Sequence, residues 1–389
     1  MARQREILSK YEKLDAQVTQ VEANLEGPCA AIAREIVRLT PERRRSVIDE
    51  SMKALEAGHR SLVGLSRRFR LVEKGDSKAA TAGPDLRSRR IAAQIEKRFK
   101  GVRHRSVHWP KLRDLIETQF NPEREPIQRE VVRETGLQYQ YRMISERVSR
   151  WHQEGAGPDV QDLSARDHSC HPDIPINLWD FTYLMGAAYR LCLAQKRPRP
   201  WSFLDVGCGG GTKVQVASQY FETAVGLEYD PGYAATARNL FARLGPDHCS
   251  VIEGDGITFP DYDAFDVIYC YWPVSSVPMM AAMERQIIST SRKGTIVLMP
   301  YQYFMQRCDE YDCKWIAEFV YVKGISNAEA RELRTEAERM GRDVVAPHSG
   351  RNPLTGFWDP IIAACETNGH LIRSGITREI KFDVSPSVI

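Results

Sequence analysis

No stretch of this 389-residue chain approaches the roughly 20 consecutive apolar residues that a membrane-spanning helix needs. No apolar core follows the charged start MARQREILSKYEKL, so a secretory signal is not expected. There is no CxxC spacing, and the nine cysteines are scattered and odd in number. That excludes a disulfide framework and a standard zinc ribbon, and predicts reduced thiols in a cytoplasmic protein. Helix-turn-helix, zinc-finger and RNA-recognition signatures are also missing. What is present is 42% hydrophobic residues, enough for a substantial core, and 27% charged residues.

The net charge of +3 conceals two halves of opposite sign. Residues 1–150 hold 32 Lys and Arg against 21 Asp and Glu, about +11, and residues 151–389 hold 22 against 30, about −8. Two units with different partners are expected. The first reads as helical. Ile7, Tyr11, Leu14, Val18, Val21 and Leu25 recur at alternating steps of four and three, a heptad seam that Gly27-Pro28 would close. The seam over residues 7–25 fits either a dimerising coiled-coil arm or an intramolecular bundle. Thr40-Pro41 reads as the start of another helix, and Lys74 to Arg90 as a polar linker. In the basic segment 87–113, Phe99 and Trp109 interleave with Lys97, Arg98, Lys100, Arg103, Arg105 and Lys111. This is either a contact surface for nucleic acid or protein, or a solvated face with its aromatics in the core.

Residues 151–176 are rich in Gly, Pro and Asp and read as a linker between a 1–150 domain and a 177–389 domain. They carry His168, Cys170 and His171, with Asp167 and Asp173 nearby. These are metal-ligand types in no standard spacing, so polar loop residues lining an entrance are the competing reading.

From residue 177 strands alternate with helices, which predicts an α/β, doubly wound parallel sheet. SFLDVG reads as a strand and is followed by Gly207, Cys208, Gly209, Gly210 and Gly211, then a helix. Glycines at such a turn let a ligand approach the backbone, and the helix start offers N–H groups. Cys208, between glycines, reads as inert. A dinucleotide loop requires GxGxxG, but the third position here is Thr212.

The pattern written is D-x-G-x-G-x-G, from Asp205 to Gly211, with Glu228 ending the next strand and Asp255 the one after. Over roughly residues 177–301 this resembles the class I S-adenosylmethionine-dependent methyltransferases. The resemblance implies a seven-stranded Rossmann-like sheet with a C-terminal antiparallel hairpin, here sought in HLIRSGITREIKFDV. It also implies S-adenosylmethionine as cofactor, held by Asp205, Gly207, Cys208, Gly209, Gly211, Glu228, Tyr229, Asp255, Gly256 and Tyr271. Glu228 would hold the ribose hydroxyls, Asp255 or Gly256 the adenine edge, and Asp205 the amino-acid end.

After the fourth strand the text is Cys270-Tyr271-Trp272-Pro273, a departure from the Asn/Asp-Pro-Pro-Tyr of enzymes that methylate planar amines. Tyr271, Trp272 and Asp309, the last from an acid cluster with Glu310 and Asp312, are the candidate catalytic residues. The His348–Pro360 loop is a candidate lid. No metal is expected, and the acceptor is open between small molecule and macromolecule. Two alternatives stand beside the enzyme reading: a scaffold with a degenerate domain, and an NAD-type enzyme.

Overall fold

A computed structural model describes residues 2–38, 45–80, 85–120, 124–127, 139–140, 143–144, 147, 161–173, 178–244, 247–344 and 356–371. The chain divides into two compact units, one formed by Met1–Pro122 with Gly350–Ile389 and the other by Glu123–Ser349.

The first unit is helical. Its elements are α1 (Ala2–Val37), α2 (Arg45–Ala80) and α3 (Leu86–Phe120), joined by the short Asp359–Thr367 helix, called α11 below. The heptad seam is core: Ile7, Tyr11, Leu14, Val18 and Leu25 are buried with Leu55, Leu62 and Phe69 of α2 and with Phe99 and Val102 of α3. The seam is covered within its own chain, which is the bundle reading of residues 7–25 and not the coiled-coil arm. Gly27-Pro28 does not end α1. Proline lacks a backbone donor and disfavours a helix interior, yet Cys29, Ile32 and Ile36 beyond it are buried, and that packing carries the helix through. Likewise α2 continues through the first part of the expected linker.

The aromatics of the basic segment also face inward. Phe99 stacks on Phe69 at 4.1 Å, and Trp109 on His59 at 4.8 Å. Arg98 donates to Asp15 at 3.0 Å and to Glu22 at 2.7 Å, and Arg105 donates to Glu22 as well. The interleaved pattern therefore builds the bundle, and Arg87, Arg89, Arg90, Lys97, Lys100, Lys111 and Arg113 remain exposed. The helix α11 sends Trp358, Ile361, Ile362 and Cys365 into the same core. Asn368 donates to the Ile36 carbonyl at 3.3 Å and to Gln119 at 3.0 Å. This differs from the expected 177–389 domain: the chain beyond residue 350 belongs with the helices.

The second unit is a seven-stranded sheet in the order β3-β2-β1-β4-β5-β7-β6. Its strands are β1 (Ser202–Val206), β2 (Thr223–Glu228), β3 (Cys249–Glu253), β4 (Val267–Cys270), β5 (Ile296–Leu298), β6 (Cys313–Ala317) and β7 (Val320–Lys323). The first five run parallel, and β7 is antiparallel to both β5 and β6. Helices α4 (Leu163–Asp167), α5 (Leu178–Ala194), α6 (Thr212–Ala217), α7 (Pro231–Leu244), α8 (Val277–Thr290), α9 (Gln302–Arg307) and α10 (Asn327–Ala337) complete it. Alternate residues of each strand serve two cores. Phe203 and Tyr269 pack with Phe181 and Phe221, while Leu204, Val206 and Ile268 pack with Met280 and Ile287. The antiparallel hairpin sought at the end of the chain is β6–β7, and residues 372–389 lie outside the described residues. Chain direction across the sheet reverses between β1 and β4, which opens a crevice at their carboxyl ends.

Candidate functional site

The loop between β1 and α6 builds one wall of that crevice. Gly207 donates to the Leu227 carbonyl at 2.8 Å, tying the loop to β2. Gly209 is held at φ 55°, a conformation that L side chains rarely adopt, and a Cβ there would overlap the Asp173 carboxylate. Its N–H donates to Glu228 Oε2 at 2.7 Å, and Asp230 N–H donates to Oε1 at 2.9 Å. Each carboxylate oxygen keeps a further lone pair for a ligand hydroxyl. Burial pushes the Glu228 carboxyl up to about 7, against the lowering effect of those two N–H donors.

Asp205, one strand over, is fully buried and neither oxygen has a hydrogen-bond partner. The ammonium of Lys213 stands 3.8 Å away, too far for a hydrogen bond. Burial raises the Asp205 carboxyl to about 7, with Lys213 opposing. At the end of β3, Asp255 Oδ1 accepts from Ile257 N–H at 2.8 Å, and its other oxygen lies 3.6 Å from His168 Nε2.

The groove between these groups is lined by Gly207, Gly209, Glu228, Tyr229, Asp255, Gly256 and, across it, Tyr271 and Trp272. Trp272 is at φ 46°, in the left-handed region that a bulky residue occupies only under strain. Its indole meets the ring of Tyr301 at 5.2 Å and that of Tyr303 at 5.3 Å. Tyr301 is fixed in turn by its hydroxyl, which donates to Glu284 at 3.0 Å. Glu284 is fully buried and accepts a forked pair of bonds from Arg307, at 3.0 Å from Nε and 2.6 Å from Nη2. This side of the groove thus presents aromatic faces, and the buried acid behind them is already ion-paired.

The profile of the methyltransferase domain family matches residues 203–294, the span from β1 to the approach of β5. Over that span the α/β unit has the Rossmann-like fold of the class I methyltransferases. No curated protein matches the chain significantly. Among solved structures, an S-adenosylmethionine-bound amino pentose methyltransferase from Micromonospora echinaspora is 25% identical, with 35% of this chain and 61% of that chain covered and a TM-score of 0.26. An RNA methyltransferase from Salinibacter ruber with S-adenosylhomocysteine is 20% identical over 32% of this chain and 76% of that chain, with a TM-score of 0.26. The Synechocystis magnesium protoporphyrin IX methyltransferase is 13% identical over 46% of this chain and 97% of that chain, with a TM-score of 0.31. The chain thus spans about 61% of the length of the first of these structures.

Not every expected site residue reaches the groove of the methyltransferase domain. Cys208 turns away, so that a Cβ on Gly226 would overlap its sulfur, and burial raises its thiol pKa well above the ordinary value. It is a packing residue and not a nucleophile. Gly211 packs on α7, where a Cβ would sit 2.8 Å from the Phe241 ring. Asp309 lies outside the groove. It pairs with Lys314 at 2.7 Å, and its own side chain is 81% exposed. His348 lies outside the described residues.

Conversely, residues that the sequence placed in a linker line the groove. His168, Cys170, His171 and Asp173 all face it, which is the entrance reading of that cluster. Among the described residues no group of three His, Cys, Asp or Glu is arranged to hold a metal ion. Among them, too, no helix is long and apolar enough to cross a membrane.

Proposed function

We propose that the methyltransferase domain binds S-adenosylmethionine in this groove and moves its methyl group to an acceptor presented against Tyr271 and Trp272. The observation that carries the reading is Glu228. A buried carboxylate at the end of β2 faces the crevice with lone pairs to spare, beside a glycine loop that a single Cβ would obstruct. The residues fit the cofactor in a second respect. The orphaned oxygens of Asp205 need a polar partner; Asp205 is fully buried and does not itself line the groove, so the cofactor's ammonium group would reach them through water.

Glu228 would hold the two ribose hydroxyls, and Asp255 with Gly256 the adenine edge. When bound, S-adenosylmethionine supplies a methyl group on a positive sulfur that a nucleophile displaces in line. The chain's own contribution is orientation and exclusion of water. Trp272, braced by Tyr301 and Tyr303, fixes the direction of acceptor approach. Nine free thiols favour a reducing, cytoplasmic setting.

Exposed bases along α3 support contact of the helical unit with a polyanionic macromolecule such as nucleic acid, to be read as salt-dependent binding of a nucleic-acid duplex. Titration calorimetry with S-adenosylmethionine, S-adenosylhomocysteine and NAD tests the central reading. Micromolar binding of the first two and none of NAD is expected. NAD binding alone would turn the assignment to a dinucleotide enzyme, and binding of none would favour a scaffold.

A further inference from the structure

Residues 161–173 lie along the groove as a strap. Asp162 N–H donates to Asp230 Oδ2 at 2.9 Å, and the Asp162 carboxylate accepts from Ser164 N–H at 2.8 Å to start α4. Further along, Ser275 N–H donates to the Ser169 carbonyl and His171 N–H to the Pro273 carbonyl, both at 2.9 Å. Between these anchors the imidazole of His168 lies on the Tyr229 ring, with centroids 4.2 Å apart and planes 11° from parallel. The same imidazole points Nε2 at Asp255. At the far end Asp173 Oδ2 accepts from Gly210 N–H at 2.9 Å, over the glycine loop. Ser169, next to the stacked ring, is held at φ 61°.

These contacts use the surfaces that an adenine would use. The base would be expected to stack on the ring that follows Glu228 and present its edge to Asp255. Two rings already in van der Waals stacking leave no slot for a third between them.

We propose that residues 161–173 are a built-in competitor of the nucleotide cofactor, with His168 holding the place of the base and Asp173 covering the glycine loop. The inference rests on the reading of the groove as a cofactor site. The strap has to leave Tyr229 before the base can arrive, so the measured affinity is the intrinsic one reduced by the open fraction. Opening also frees Ser169 from its strained backbone conformation.

The sign of one substitution decides it. Removal of a groove-lining residue ordinarily weakens ligand binding. Here His168→Ala in the full chain is expected to bind S-adenosylhomocysteine about fivefold more tightly, the fold-change that the loss of one competing aromatic pair gives. Asp162→Ala keeps the backbone bond to Asp230 but removes the side-chain cap of α4, which destabilises the strap from outside the groove and shifts the affinity the same way. It takes the place of the first variant if that one has a lowered unfolding temperature. Wild-type binding with equal or weaker binding by the variants overturns the strap and leaves the methyltransferase reading intact. Failure of wild type and variants alike to bind S-adenosylhomocysteine overturns both.

Discussion

Glu228→Gln separates what this carboxyl does for a ligand from what it costs the fold. Glu228 is 6% exposed, and its carboxyl rises from an ordinary 4.5 to about 7, chiefly through burial. The native state therefore holds this proton more tightly than the unfolded chain does. The resulting stabilisation is complete below pH 4.5 and is lost as the pH climbs through about 7. A pKa unit corresponds to about 1.4 kcal/mol, so the loss amounts to ~3 kcal/mol. Glutamine does not titrate. It has one acceptor oxygen for the N–H groups of Gly209 and Asp230, and leaving one of them unmet costs about 1–3 kcal/mol at any pH.

The variant should thus be less stable than wild type at pH 4.5 and equal to it or more stable at pH 8. Asp205 is present in both proteins; its raised pKa comes chiefly from burial, and the smaller part that the Glu228 charge contributes is lost in the variant. Urea midpoints for the α/β transition at pH 4.5, 6 and 8 measure it. Parallel curves for the two proteins would refute the argument, because they would mean that the Glu228 proton is not linked to folding. The same variant should lose most of its affinity for S-adenosylmethionine.

Three further outcomes follow from packing. Gly226→Ala drives a methyl into the Cys208 sulfur and should cost about 1–3 kcal/mol in urea unfolding, part of which Cys208→Ala in the same chain recovers. Arg307→Met leaves the fully buried Glu284 carboxylate without its ion-pair partner and should cost about 3–5 kcal/mol, read by the same assay. Glu22→Ala removes a shared partner of Arg98 and Arg105. It should lower the stability of the helical unit by about 1–3 kcal/mol, seen as an earlier loss of the 222 nm signal on heating.

What the sequence disclosed, it disclosed through periodicity and position. Asp205, Glu228 and Asp255 each stand within two residues of the end of a parallel strand, so strand alternation alone brings them to one edge. The heptad residues of α1 were visible as an apolar stripe, though the stripe does not say which helix covers it. The β6–β7 hairpin was missed because its turn, at Glu318 and Phe319, carries no turn residue, and Phe319 takes φ 60° without glycine or asparagine. Glu284 was legible in principle, since it stands four residues after Met280 and three before Ile287 on the buried stripe of α8. His168 and Asp173 could not be placed along the groove. Their partners Tyr229 and Gly210 lie tens of residues away, in pairings that no local pattern encodes.

The return of α11 to the helical bundle makes the methyltransferase domain an insertion within the helical unit. During synthesis the bundle must wait for Trp358 and Ile361 to emerge, by which time the whole of β1 to β7 is already made. The α/β unit can then fold first, and the part of the α1–α3 surface that Trp358 and Ile361 cover stays exposed until the last helix arrives. A cut at residue 150 would strip the bundle of its closing helix. An excision of residues 123–349 with a short linker preserves it, and the two shortened chains should differ in solubility for that reason alone.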